Sequence, residues 1–277
     1  MSAQAAVADL NTAAESVWQA VVPFLQGLAV EVLPQVDSTN AELMRRARDG
    51  LCEPTLLVTA DQTAGRGRQG KVWVSAPGAS LTFSLGLPLA PQAGAGWSGL
   101  SLAVGVSVAR ALHPAVQLKW PNDLWVHDHK LGGILVETAS IDTAGKPTHT
   151  RYAVVGVGLN IQTPALAPSH SPADAPLPMP PTSVHALDEA CAALTAGLVL
   201  TRVAPALVAD LLRFEREGFA AFATAYAQRD ALKGRSVRLS DGQEGVADGV
   251  APDGSLWLLS DTQRIAISHQ EVSVRPC

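Results

Sequence analysis

The chain has 277 residues, 47% apolar and 16% charged, so it can bury a full core and is neither a disulfide-stapled miniprotein nor a disordered chain. Twenty Lys and Arg against 25 Asp and Glu give a net charge of −5, which excludes a global basic field for nucleic acid or anionic lipid and makes any phosphate binding local. The three cysteines, Cys52, Cys191 and Cys277, are far apart with no CxxC or Cys/His cluster, a pattern that fits neither a disulfide framework nor a zinc site. The N-terminus lacks the basic start and apolar run of a signal peptide, and no apolar stretch reaches the roughly 18 residues of a membrane span. The expectation is a soluble cytoplasmic protein without a membrane partner.

The first 30 or so residues are Ala-rich, with Leu10, Val17, Val21, Phe24 and Leu25 at spacings that predict one or two helices at the edge of a larger unit. DSTNAELMRRARDG, residues 37–50, reads as a capped helix with Leu43 and Met44 inward and Gly50 as its C-terminal stop. TLLVTADQ reads as a buried strand and is followed by a glycine-rich basic loop, Ala64 to Trp73. A strand from Leu81, a helix over 100–113 that is apolar nearly all round, and a strand–turn–strand–turn–strand run over QLKWPNDLWVHDHKLGGILVET come next. In the strand from Tyr152, Gly156 and Gly158 mark a close backbone approach or a bulge.

Residues 163–183 hold seven prolines and no periodicity, which predicts an extended surface loop. Helical patterns return over Val184 to Leu200 and Pro205 to Arg229. From Leu232, four or five short β-patterned runs separated by DG, DGS and SDT turns predict a small barrel-like domain. The predicted fold class is α+β: a mixed-sheet domain, residues 1–231 with its strands between 54 and 161, and a β module over 232–277.

Chemistry concentrates where the few cations fall beside glycines: Arg66 and Arg68 in GRGRQGK, Lys119 in KWPND, Lys130 in KLGG. Glycine lets backbone N–H groups approach anionic oxygens while Arg and Lys neutralise them, so together these segments suggest a phosphate site. It is neither a Walker A loop nor a dinucleotide fingerprint, since no helix follows GRGRQG. The seven histidines show no ligand spacing, so no metal-binding residues are expected.

In this order and spacing, DSTN at 37–40, DQTAGRGRQGKVW at 61–73, KWPNDLW at 119–125, KLGGILVE at 130–137, GVGLN at 156–160 and the C-terminal β module resemble the bacterial biotin protein ligases over residues 37–277. The resemblance implies a biotin/lipoate ligase-like catalytic domain with an SH3-like barrel, and a two-step reaction. Biotin is activated by ATP as biotinyl-5'-AMP, with Mg²⁺ arriving on the ATP, and then passes to a lysine of the biotin carboxyl carrier protein of acetyl-CoA carboxylase. By resemblance, Ser38, Thr39, Asn40, Gln62, Gly65, Arg66, Lys130 and Gly133 meet biotin. Arg66, Arg68, Trp73, Lys119, Asn122, Asp123, Lys130, Asn160 and Arg275 meet ATP or the adenylate.

Lys130, Lys119 and Arg68 are the catalytic candidates. Plainer roles stand beside these: helix capping for Ser38 and Thr39, turn capping for Asp123, core packing for Trp73, and a satisfied strand-end amide for Asn160. Lys71 stands where many relatives have Arg, without the planar fork. With 36 residues before Asp37 and no basic recognition helix, the resemblance implies a monofunctional ligase without DNA binding, a monomer or weak homodimer. The competing readings are a lipoate or octanoate ligase and a non-catalytic regulator that binds biotinyl-adenylate.

Overall fold

The computed structural model describes residues 1–277 other than 93–95, 142–146, 148, 165–179, 261–262, 269–273 and 277. In chain order the elements are α1 (Ala3–Val21), β1 (Ala29–Val36), α2 (Thr39–Arg48), β2 (Thr55–Gln62), β3 (Ser80–Leu89), α3 (Leu100–Leu112), β4 (Gln117–Lys119), β5 (Asp123–Val126), β6 (His129–Ser140), β7 (Arg151–Asn160), α4 (Ala196–Glu217) and the short α5 (Ala223–Ala227). The C-terminal strands are β8 (Ser236–Leu239), β9 (Glu244–Val250), β10 (Leu256–Ser260), β11 (Gln263–Ile267) and β12 (Val274–Pro276). Two sheets result: a mixed seven-stranded one in the order β1-β2-β3-β7-β6-β5-β4, and an antiparallel five-stranded one in the order β11-β10-β9-β8-β12. The second is the SH3-like module.

Alternation along the central strands separates the two faces of the large sheet. Leu81, Phe83 and Leu85 of β3 and Val155, Val157 and Leu159 of β7 face a core closed by α1, α3 and α4. The intervening residues, Thr82 and Ser84 of β3 and Gly156 and Gly158 of β7, pair across the ladder as Thr82↔Gly158 and Ser84↔Gly156. That second face is therefore lined by small residues where the first is lined by Leu, Val and Phe. Among the described helices α2 packs on it, through Leu43 and Ala47 against Leu57, Tyr152 and Val154. A face of small residues under a single short helix leaves a concavity, and the functional site occupies it.

Three expectations are corrected. The large sheet does not begin at residue 54: β1 is its edge strand, parallel to β2 from Ala29↔Thr55 to Val36↔Gln62, and Pro34 within it sits where an edge tolerates a missing N–H. The span 184–200 is not a helix. It is a single 3₁₀ turn at Val184–Ala186 followed by turns, and α4 begins at Ala196 after the cap of Thr195, whose side chain accepts from Leu198 N.

Nor does a second helix start at Pro205 and run to Arg229: α4 passes through Pro205 because Leu200, Val203, Ala204, Leu207 and Val208 keep one continuous buried stripe, and it ends at Glu217 before Gly218. Asp9 of α1 fastens this region, its carboxylate accepting from Thr195 Oγ1 and Gly197 N, each at 2.8 Å. Of the segment 163–183, expected as an extended surface loop, residues 165–179 lie outside the described residues, while Pro180 and Thr182 hydrogen-bond to the Lys130 backbone.

The C-terminal module touches the large sheet at two points that bear on the site. Trp120, fully buried, donates its indole N–H to Gly254 O at 3.0 Å, and Arg235 pairs with Asp128 at the β5–β6 turn. Gly254 has φ +81, and a Cβ there would lie 2.7 Å from Gly99 Cα, a backbone contact that cannot give way easily. Gly254→Ala is therefore expected to destabilise the protein by about 1–3 kcal/mol, read as a lowered urea midpoint with unchanged m.

Candidate active site

The register of the β4–β5–β6 meander assembles the charged centre. Lys119 lies directly opposite Asp123, so the two side chains leave the same face. Between β5 and β6 the pairing runs Asp123↔Gly133, Leu124↔Gly132, and then shifts to Trp125↔Lys130. Strict alternation would send Lys130 to the opposite face from Asp123; the extra residue, Leu131, takes the core-facing position and turns Lys130 back towards the carboxylate.

Lys130 Nζ lies 2.7 Å from Asp123 Oδ1, and Lys119 Nζ 3.4 Å from Oδ2. Lys119 is only 7% exposed, and its ammonium also stands 5.3 Å from the ring centroid of Trp125. Burial pulls the Lys119 pKa below its ordinary value, with Asp123 opposing the shift. For Asp123 burial acts upward, but Lys130 and Lys119 outweigh it and hold the carboxyl below the usual carboxylate range.

An uncharged polar cluster sits at the other end. Ser38 caps α2, its side chain accepting from Ala41 N, and Thr39 and Asn40 follow on the first turn, all three buried. Gln62 Oε1 accepts from Thr39 N at 2.8 Å, and Asn40 Nδ2 donates to Glu137 Oε2 at 2.9 Å. A Cβ on Gly156 would lie 2.2 Å from Asn40 Oδ1, which is why the strand beneath this amide carries no side chain. Asp37, just outside the helix, accepts from both terminal nitrogens of Arg45 at 2.7 and 2.8 Å.

The basic loop is a small hairpin with a bridge at Arg66↔Val72 and a 3₁₀ turn over Arg68–Gly70. Trp73 closes it, its N–H donating to Gly65 O at 2.9 Å and its indole lying on the bare backbone of Gly158. Arg68 is half-buried; desolvation lowers its pKa while the nearby Asp123 charge raises it, which places the guanidinium within the field of the charged centre.

These parts enclose a cavity of about 190 Å³. Its lining brings together Ser38, Thr39, Asn40, Gln62, Arg66, Arg68, Trp73, Lys119, Asn122, Asp123, Lys130 and Gly133, all expected from sequence. Lys71 lines it too, so among the described residues five cations face the cavity against one carboxylate, Asp123. Three expected residues are placed differently. Gly65 lies at the base of the loop; Asn160 donates to Lys130 O at 3.3 Å and Thr182 O at 3.0 Å, behind the wall; Arg275 lies opposite Arg238 in the small sheet, its side chain outside the described residues. Ser84 and Glu137, which hold Thr39 and Asn40, were not singled out from sequence; the only signal was a pair of hydroxyl residues, Thr82 and Ser84, alternating within an apolar strand.

Residues 32–160, which include every described residue that lines this cavity, match the Biotin/lipoate A/B protein ligase family. The chain is 33% identical over 244 residues to the bifunctional ligase/repressor BirA of Escherichia coli K12, covering 86% of this chain and 71% of that protein. It is 30% identical over 255 residues to the biotin–[acetyl-CoA-carboxylase] ligase of Mycobacterium tuberculosis H37Rv, covering 88% of each. Among solved structures, the biotin protein ligase of Aquifex aeolicus in complex with biotin and ATP superposes with a TM-score of 0.69 at 26% identity, covering 90% of this chain and 99% of that one. The chain belongs to the biotin protein ligase family.

The entry of α2 supplies a test at low pH. The Arg45 hydrogen bonds, opposed by partial burial, bring the Asp37 pKa down from 3.8 to about 2. A depressed folded-state pKa adds stability that is present above the unfolded value and lost as pH falls from about 3.8 towards 2. NMR titration of the Asp37 carboxyl should show the low value in the native protein and a return towards 3.8 in Arg45→Gln.

Proposed function

We propose that the chain activates biotin with ATP as biotinyl-5'-AMP and transfers the biotinyl group to a lysine of the biotin carboxyl carrier protein of acetyl-CoA carboxylase. One observation carries this reading: a single cavity joins an uncharged polar cluster at Ser38, Thr39, Asn40 and Gln62 to a wall of five cations, in a protein whose net charge is −5. The first suits the neutral ureido ring and the second a triphosphate. The Mycobacterium tuberculosis relative and the superposed Aquifex aeolicus structure are named as biotin ligases, so the lipoate reading is not favoured.

In the first step a biotin carboxylate oxygen bonds to the α-phosphorus, the bond to the bridging oxygen breaks, and pyrophosphate leaves. Both reactants are anions, and Lys130, Lys119, Arg66 and Arg68 offset their repulsion in a poorly solvated space where charge acts strongly. Asp123 keeps the two lysines at fixed positions while they are unloaded. The basic hairpin and Trp73 shield the mixed anhydride from water. In the second step the neutral amine of the acceptor lysine attacks the acyl carbon, AMP departs with the anhydride oxygen, and the new amide nitrogen loses its proton to solvent.

Mg²⁺ would arrive with the triphosphate, Arg275 acts at the nucleotide end, and Asn160 serves that end through the Lys130 carbonyl it holds. The proposal includes a cytoplasmic protein, a monomer or weak homodimer, divided into a catalytic part over 1–231 and a module over 232–277 that braces the KWPND turn through Trp120.

Biotin with Mg-ATP is expected to stabilise the protein more than either alone, by about 4 kcal/mol when the bound species stands at about a thousand times its dissociation constant. No melting shift at saturating biotin overturns the reading. Lys130→Ala should slow pyrophosphate release about 100- to 1,000-fold while biotin affinity changes far less; equal losses in both would make Lys130 a ground-state binding group instead.

A further inference from the structure

A chain of hydrogen bonds behind the cavity wall takes its direction from the acceptors at its ends. Asn40 Nδ2 faces two acceptors, Leu135 O at 3.2 Å and Glu137 Oε2 at 2.9 Å, so the amide nitrogen must point there and Oδ1 must point to Ser84. Ser84 Oγ stands 2.6 Å from Asn40 Oδ1, which has no proton to give, so the single Ser84 hydroxyl proton goes to Asn40. Ser84 Oγ also stands 2.7 Å from Thr39 Oγ1, and that contact then needs the Thr39 proton. The alternative acceptor, Gln62 Oε1, accepts from Thr39 N at 2.8 Å and is farther from Thr39 Oγ1, at 3.2 Å, so the shorter contact to Ser84 is favoured for the Thr39 proton.

We propose that Ser84, fully buried and away from the ligand, is a positioning residue that fixes the polarity of Thr39, so that Thr39 Oγ1 presents lone pairs to the cavity and selects a ligand N–H at that point. Gln62, whose Oε1 is held by Thr39 N, is correspondingly turned to offer its Nε2 donors. The proposal deepens the biotin reading and rests on it: a cyclic urea carries an N–H on either side of a carbonyl, whereas a dithiolane ring has no N–H to give. A buried acceptor left without a donor is costly, so this arrangement rejects apolar rings and ring oxygens at that position. Without Ser84 the Thr39 hydroxyl keeps only the longer 3.2 Å contact to Gln62 Oε1, which holds it less firmly against turning to suit either kind of ligand partner.

The test uses the full chain, biotin, and the two cyclic carbamate isosteres in which one or the other ureido N–H is replaced by oxygen, titrated by calorimetry. Wild type is expected to bind one isostere about 100-fold more weakly than biotin. In Ser84→Ala biotin should weaken about tenfold, and the penalty for that same isostere should shrink to about tenfold or less, because Thr39 is then free to rotate. Ser84→Cys, similar in size with a weaker donor, should fall between and guards against a folding defect.

An unchanged isostere penalty in Ser84→Ala, or a uniform loss for all three ligands, overturns the proposal. A wild type that binds no biotin overturns the functional reading instead. The relay then has its own ligand-free readout: a slowly exchanging Thr39 hydroxyl proton, correlated with Ser84 by NMR and lost in Ser84→Ala. Its absence from the wild type refutes the polarity.

Discussion

The site depends on one carboxylate holding two ammonium groups. Asp123 lies within 3.4 Å of Lys119 and 2.7 Å of Lys130, and without it a lysine that is 7% exposed would have no counter-charge. An unpaired buried cation of that kind is costly enough that it would shed its proton or drag the strand open. Three features of the fold exist to make this contact possible: the Lys119↔Asp123 register, the bulge that turns Lys130 to the same face, and the Trp125 ring that takes up the remaining field of the Lys119 ammonium. The carboxylate does not neutralise the wall. With Arg66, Arg68 and Lys71 added, positive charge remains in excess, so the cavity keeps its attraction for phosphates while its cations stay in place before a ligand arrives.

Much of this was legible in the sequence, because the motifs that carry charge also carry turns. The glycines of the basic loop, the Pro-Asn-Asp turn and the LGG segment state both what sits there and how the backbone bends, and all the expected cations except Arg275 meet at one cavity. The strands of the large sheet between 55 and 160 follow from alternation and short apolar runs. What failed depended on tertiary context. Strand β1 has Pro34 and Glu31 and little alternation, and is recruited by parallel pairing to β2 rather than by its own pattern. Proline suggested a break in α4, yet a continuous apolar stripe packed on α1 and α3 overrides the loss of one hydrogen bond.

Asn160 shows how the partners of an amide can depend on segments far away in sequence. The two glycines before it mark a close backbone approach, which the structure uses for Asn40 and Trp73, and the Asn160 amide ties β6 to the segment at Thr182. Side-chain absence at 156 and 158 makes room for protein groups, which then shape the pocket at one remove. Sequence shows that space is needed without showing what fills it.

The division of labour between the two faces of the sheet explains how one cavity can hold both a neutral ring and a triphosphate. The helix-covered face supplies rigidity through Leu, Val and Phe packed at near-zero exposure, so the strands cannot shift when the opposite face is polar and only partly covered. On that opposite face the ends of the strands differ. Beneath α2, the hydroxyls and amides are committed to one another in a fixed order, so binding there is selective for hydrogen-bond pattern and insensitive to charge. At the meander end, selectivity comes from cations held at set distances and is insensitive to the shape of the ring. Because both ends are built on adjacent residues of β6, with Gly133 and Leu135 bordering the cavity between Lys130 and Glu137, a ligand that satisfies both is held across the point where its carboxylate and the α-phosphate must meet.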